Sequence, residues 1–189
     1  DIVIGADGIH SAVRDSLFGP IEPTFTGCIC WRGMAPIDAV SHMSDALDMT
    51  AHFDSDGWTG ESWNHECDRS ELMDTYGEWN ESLLRLIESS DRHYKWALFD
   101  RDPLESWGRG RVILLGDSAH PMLPFLGQGA CMAVEDGIVL AEAVKLSPND
   151  LELALADYER LRKPRATRAQ LGSRHRARQN HLASPVARL

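Results

Sequence analysis

The chain is poor in positive charge. It carries 19 lysines and arginines against 29 aspartates and glutamates, a formal net charge of −10, and a surface of that sign disfavours nucleic acid as a bulk partner. Cysteine is scarce, with 4 in 189 residues. Cys28 and Cys30 alternate along an expected strand, Cys67 sits in a charged stretch, and Cys131 lies at the start of an expected helix. That spacing offers neither a disulfide framework nor the paired ligands of a zinc site, so no metal centre is expected and the thiols are read as packing or surface groups of a cytoplasmic protein. No apolar run is long enough to span a bilayer and no stretch reads as a signal peptide, so no membrane partner is expected. Repeats and low-complexity tracts are also missing. The composition that remains, 43% hydrophobic and 25% charged, is ordinary for a soluble globular protein, and the length suffices for one domain with a real core.

What is present is concentrated in one stretch, Leu114-Leu-Gly-Asp-Ser-Ala-His-Pro-Met-Leu-Pro-Phe-Leu-Gly-Gln-Gly-Ala-Cys131. Val112 to Leu115 reads as a short strand buried on both faces, ending at Gly116-Asp117, where the chain can turn tightly and leave a carboxylate at the strand's end. Polar groups at such an edge meet ligands. Pro121 and Pro124 stiffen the next segment. Gly127-Gln128-Gly129 then opens a helix predicted to bury Ala130, Ala133, Val134, Ile138, Leu140, Ala141 and Val144. Its first turn offers free amides and partial positive charge to an anion, and its glycines let a flat ring approach the backbone. The pair is no dinucleotide fingerprint, because Met132 stands where the third glycine belongs.

A second stretch, Asp1-Ile-Val-Ile-Gly-Ala-Asp-Gly-Ile-His-Ser-Ala-Val-Arg14, again reads as buried strand, turn and helix, with Ser11 marking the helix entry. In this order the two stretches resemble the Asp-Gly and Gly-Asp motifs of the class A flavin-dependent aromatic monooxygenases, and the wording of the second is most similar to salicylate hydroxylases and their hydroxybenzoate and hydroxynicotinate relatives. Trp31-Arg-Gly33, Trp96-Ala-Leu-Phe-Asp-Arg-Asp-Pro-Leu104 and Tyr158-Glu-Arg-Leu-Arg-Lys-Pro-Arg165 fit the same group.

The resemblance implies an α/β fold: part of an FAD-binding domain of the glutathione-reductase-like, Rossmann type, with the remnant of an α+β substrate sheet. It implies domain segments at 1–26 (FAD domain), 27–100 (truncated substrate domain), 101–146 (FAD domain) and 147–189 (C-terminal helices). The cofactor would be FAD, with NADH or NADPH as co-substrate and dioxygen as oxidant, acting on a small hydroxylated aromatic acid. Position by position, Asp117 matches the residue that holds the ribityl chain, with Gly116 beside it. Asp7, Gly8 and Arg14 match the turn near the flavin nucleotide. Pro124 matches the proline whose carbonyl faces substrate and flavin edge, and Phe125 would lie on the substrate side. Gly127, Gln128 and Gly129 match the loop whose amides stabilise negative charge on the isoalloxazine, a role that also follows from helix-terminus electrostatics.

The pattern departs from the family twice. No Gly-x-Gly-x-x-Gly follows an N-terminal strand, and only a short polar span, roughly Asp38 to Thr50, replaces the strands that follow Trp-Arg-Gly in relatives. A fragment is therefore expected, with an exposed sheet edge that invites self-association into a homo-oligomer, and no general base is assigned. An inactive, truncated flavoprotein stands as the alternative. A more remote one is a serine hydrolase, with Ser118 as nucleophile and His120 as its base; two residues is a poor separation for such a pair. The basic run from Arg160 to Arg178 is read as a solvated helix face that Pro164 kinks or restarts.

Overall fold

The computed structural model describes residues 1–36, 38, 51–54 as backbone, 58–60, 62 and 64–180. The polar span between Asp38 and Thr50 thus falls almost wholly outside the described residues, as does the end of the chain after 180. The chain divides into two units, one formed by Asp1–Thr24 with Asp100–Leu189 and the other by Phe25–Phe99.

In the first unit, β1 (Val3–Gly5) lies parallel to β7 (Val112–Leu114), with Val3 opposite Val112 and Gly5 opposite Leu114. The short β6 (Gly108–Arg109) completes the order β1-β7-β6. Glycine is required at position 5, since a Cβ there would stand 2.8 Å from both Leu114 and Val13. Helix α1 (Ala12–Phe18) leaves β1 through Ser11, whose hydroxyl accepts from the Arg14 amide at 2.9 Å, as an N-cap serine does. Helices α4 (Gly129–Leu146) and α5 (Leu151–Asn180) pack against the sheet. Trp107, Ile113, Leu114, Leu140, Leu155 and Tyr158 make the core, and each large apolar side chain buried there contributes about 1.5–3 kcal/mol.

Three expectations change here. The β1 side chains are not buried on both faces: Val3 is 53% and Ile4 46% exposed. On α4 the inward stripe is Met132, Asp136, Leu140 and Ala143, while Val134 and Ile138 are 65% and 60% exposed and Ala130 and Ala141 also face solvent. The helix is apolar around most of its girth, so periodicity alone could select either stripe. Finally, α5 runs through Pro164 without restarting, although proline gives no N–H to the carbonyl one turn back.

The second unit is a four-stranded sheet in the order β3-β2-β5-β4, from β2 (Thr24–Gly33), β3 (Ala51–Asp54), β4 (Glu66–Cys67) and β5 (His93–Asp100). Helices α2 (Arg69–Tyr76) and α3 (Glu81–Ser89) bury Leu72, Tyr76 and Ile87 with Ile29 and Trp31. The sequence predicts helical chain from Arg69 to Ser90 broken near Gly77, and the break between the two helices falls there. Lys95 is buried with its ammonium against Glu71 and 4.5 Å from the Trp58 ring centre, two contacts that offset the loss of its hydration.

Candidate functional site

The Gly116–Asp117 turn caps the C-terminal end of β7. Gly116 adopts φ +65°, in the left-handed region, where a side chain is strained, and its carbonyl accepts the amides of Ala119 and His120 at 2.9 Å each. The following residue, Asp117, is exposed. Loss of hydration from surrounding protein raises its carboxyl above the ordinary range, and nearby His120 acts in the opposite direction. Solvent still reaches the group, and no protein donor bonds it among the described residues. It is an acceptor with free lone pairs at a strand end.

Beyond the turn, Pro124–Leu126 forms a single 3₁₀ turn in which the Pro124 carbonyl accepts the Gly127 amide at 2.9 Å. Gly127, at φ +61° with open space where a Cβ would be, swings the chain into α4. No side chain caps this helix, so its first amides have no acceptor one turn back. Gln128 is exposed, Gly129 and Phe125 are half-buried, and Pro124 is exposed. These residues form one cradle: a carboxylate acceptor at one end, an uncapped helix N-terminus at the other, and a stiff apolar loop between them. The donor set fits FAD, whose ribityl hydroxyls donate to a carboxylate and whose reduced ring is anionic.

The residues of the first stretch take different parts. Asp7 accepts Ser11 Oγ at 2.5 Å and the Val13 amide at 3.2 Å. Burial opposes its ionisation, but these hydrogen bonds prevail and hold its carboxyl below the ordinary range. Gly8 adopts φ +81° with nothing near a would-be Cβ. Arg14 is buried to 1% exposure; its guanidinium reaches the Ile9 carbonyl at 2.8 Å and the Ser118 carbonyl at 3.4 Å. It ties the two turns together and does not present its charge to a ligand, because both contacts draw the guanidinium inward.

The serine hydrolase arrangement is not formed. Ser118 is fully buried, with its hydroxyl engaged to the Gly5 and Leu115 carbonyls, and His120 turns instead to Asp136. Nor is the basic run a free solvated face. Arg162 is 4% exposed and bonds Asp136 and Glu135, Arg165 pairs with Glu135, and Arg174 with Asp100 and Asp102. The partners lie on other elements, which local sequence does not reveal.

Beneath the cradle sits the part that sequence reading missed. Asp136 is fully buried and accepts His120 Nε2 at 2.6 Å, Arg162 Nε at 2.8 Å and the Gly116 amide at 3.1 Å. Burial works against its charge, but His120, Arg162 and the Gly116 amide together hold its carboxyl low. The sequence signal was an acid inside an apolar stripe, at four-residue spacing from Met132 and Leu140.

Residues 87–172 match the model of an FAD binding domain. The chain is 37% identical to the 6-hydroxynicotinate 3-monooxygenase of Pseudomonas fluorescens, over 90% of this chain and 51% of that protein. It is 34% identical to the 3-amino-4-hydroxybenzoate 2-monooxygenase of Streptomyces platensis, over 96% of this chain and 51% of that one. A solved salicylate hydroxylase substrate complex superposes with a TM-score of 0.76 at 26% identity, over 97% of this chain and 56% of that structure. The fold is thus that of a flavoprotein monooxygenase FAD-binding domain, of which part is present. The chain is similar to the class A flavin-dependent aromatic monooxygenases, in the group that includes salicylate hydroxylase. It spans about half the length of the curated relatives it matches. Among the described residues no helix is long and apolar enough to cross a membrane.

Proposed function

We propose that the protein to which this chain belongs binds FAD and hydroxylates a small hydroxylated aromatic acid, with NADH or NADPH and dioxygen as co-substrates. The observation that carries the reading is the cradle: an Asp117 carboxylate exposed at the end of β7 with no protein donor among the described residues, and a start of α4 that no side chain caps and whose Ala133 stands 3.2 Å from where a Cβ on Gly116 would be. Relatives named for hydroxynicotinate and aminohydroxybenzoate support the substrate class.

Bound FAD would supply the redox chemistry that passes electrons from the nicotinamide to oxygen. The residues of this chain supply position and electrostatics. Asp117 accepts hydroxyl hydrogens of the cofactor's polyol chain, with Gly116 setting its direction. The amides of Gln128, Gly129 and the residues after them stabilise negative charge, and Gly127 permits close approach. Asp7 and Gly8 shape the adjoining turn, and Arg14 braces it to Ser118. The Pro124 carbonyl and the Phe125 ring form the substrate-side wall, where an apolar surface excludes water from the reacting centre.

Titration of the protein with FAD, followed by flavin fluorescence, tests the first half. Saturable binding weakened at least tenfold by Asp117→Ala is the expected result; unchanged affinity in that variant removes Asp117 from the site. Arene-dependent oxidation of NADH or NADPH, with hydroxylated product identified, tests the second half. Binding without turnover would assign the chain to the inactive flavoprotein alternative.

A further inference from the structure

Directly under the Asp117 turn lies a chain of buried polar groups whose members come from three separate elements. Arg162 on α5 bonds Asp136 on α4; Asp136 bonds His120 and the Gly116 amide in the turn itself. Arg162 is fixed further by Glu135 at 2.6 Å and the Met132 carbonyl at 3.3 Å. The His120 ring is 1% exposed and packs against Trp107 with 5.0 Å between ring centres.

We propose that His120, Asp136 and Arg162 are positioning residues for the cofactor, a buried relay that locks the Gly116–Asp117 turn to the C-terminal helix and so sets where the Asp117 carboxylate stands. The proposal rests on the FAD reading above.

A stabilising core pair would account for Arg162 and Asp136 alone. It does not account for where the third and fourth contacts go. Asp136 takes the amide of Gly116, the residue immediately before Asp117, while the Gly116 carbonyl is taken by the amides of Ala119 and His120. Both backbone groups of the glycine whose φ of +65° aims Asp117 outward are therefore held, one by the relay and one by the backbone of its histidine. The His120 ring closes the circuit through Nε2, which meets Asp136 at 2.6 Å. The same ring lies close enough to Asp117 to bias its carboxyl electrostatically. The geometry also assigns Arg162 a part in the flavin site although it lies on a helix outside both sequence motifs.

The test compares Asp136→Asn and Arg162→Lys with Leu155→Ala, a buried apolar change on α5 that touches none of these hydrogen bonds. Three quantities are read in each: the FAD dissociation constant, the thermal midpoint, and, in the FAD-free protein, the nitrogen-15 resonances of the Gly116 amide and the His120 ring. For Asp136→Asn we expect both resonances to move without FAD present and the dissociation constant to rise tenfold or more. Leu155→Ala, at equal or greater loss of thermal midpoint, should leave both nearly unchanged. If Asp136→Asn does not fold, Arg162→Lys, which keeps the charge and loses the planar fork, carries the same comparison. Loss of affinity that simply follows the thermal midpoint in all variants overturns the proposal, as does a Gly116 resonance that stays in place. If the parent protein fails to bind FAD, the cofactor reading falls, and the resonances still decide whether the relay positions the turn.

Discussion

Asp117 and Asp136 serve one turn from opposite sides and are held in opposite conditions. Above the turn, Asp117 is exposed and receives no protein donor among the described residues, and its carboxyl is raised by loss of hydration. Below it, Asp136 is fully buried, receives three donors, and is held low. The difference separates two tasks. An acid that must accept hydrogen bonds from a ligand is left with its lone pairs free; an acid that must hold a frame has them filled by the frame.

Removing each carboxylate should separate the tasks most sharply. Asp136→Ala leaves the buried Arg162 guanidinium with Glu135 alone and takes the acceptor from His120 and the Gly116 amide, and breaking a buried pair costs about 3–5 kcal/mol. Asp117→Ala removes an exposed group with no protein partner, which costs about 0.5 kcal/mol or less. Chemical denaturation of both variants reads the contrast directly. Equal losses would mean that the two aspartates belong to one structural network and that the comparison is false.

The next largest effect sharpens the same inside-against-outside division along α4. Leu140 is 5% exposed and Ile138, two residues away, is 60% exposed. Leu140→Ala should cost about 2–5 kcal/mol, and Ile138→Ala about 0.5 kcal/mol or less. Reversal of that order would show that the helix buries the stripe its hydropathy alone predicts.

That stripe marks how far the sequence could be read. The two strand-turn-helix units, the serine cap of α1, the helix break near Gly77 and the glycine entry to α4 were legible, because each depends on residues within one turn of chain. The run from β7 through the Gly116–Asp117 turn and the proline-bearing loop to the start of α4 followed from the same local grammar. The inward face of α4 did not. Val134 and Ile138 form a more apolar stripe than the one containing Asp136, and hydropathy counts an aspartate as a surface residue. What reverses the choice is Arg162, 26 residues further on, which supplies the counter-charge that lets an acid be buried. Arg162 was itself illegible for the mirror-image reason: in a run of basic residues, each looks solvated until its partner on another element is known. The exposure of Val3 and Ile4 likewise depends on what lies beside β1 in space, and an apolar triplet carries no record of that.

The weakest expected effect lies at the rim of the same network, and its pH dependence shows what exposure does to an ion pair. Glu135 accepts from Arg165 at 2.7 and 2.8 Å and from Arg162 at 2.6 Å. The Arg165 contact leads in holding its carboxyl at about 2, against an ordinary value of 4.5; burial opposes it, and Arg162 adds to the lowering. A carboxyl depressed on folding stabilises the folded state fully above its unfolded value and ceases to do so as pH falls through the folded one. The contribution of Glu135 is therefore complete at neutral pH and disappears between 4.5 and about 2. Its side chain and that of Arg165 are 34% and 53% exposed, so salt screens the pair as it does not screen Asp136. Thermal midpoints of wild type and Glu135→Gln should differ slightly at neutral pH in dilute buffer, converge as the pH falls through that window, and converge again at neutral pH in 1 M salt, where the screening length is about 3 Å. A difference that survives both treatments would place Glu135 with Asp136 inside the frame, and the boundary between the fixed interior and the solvated rim would have to be drawn one residue further out.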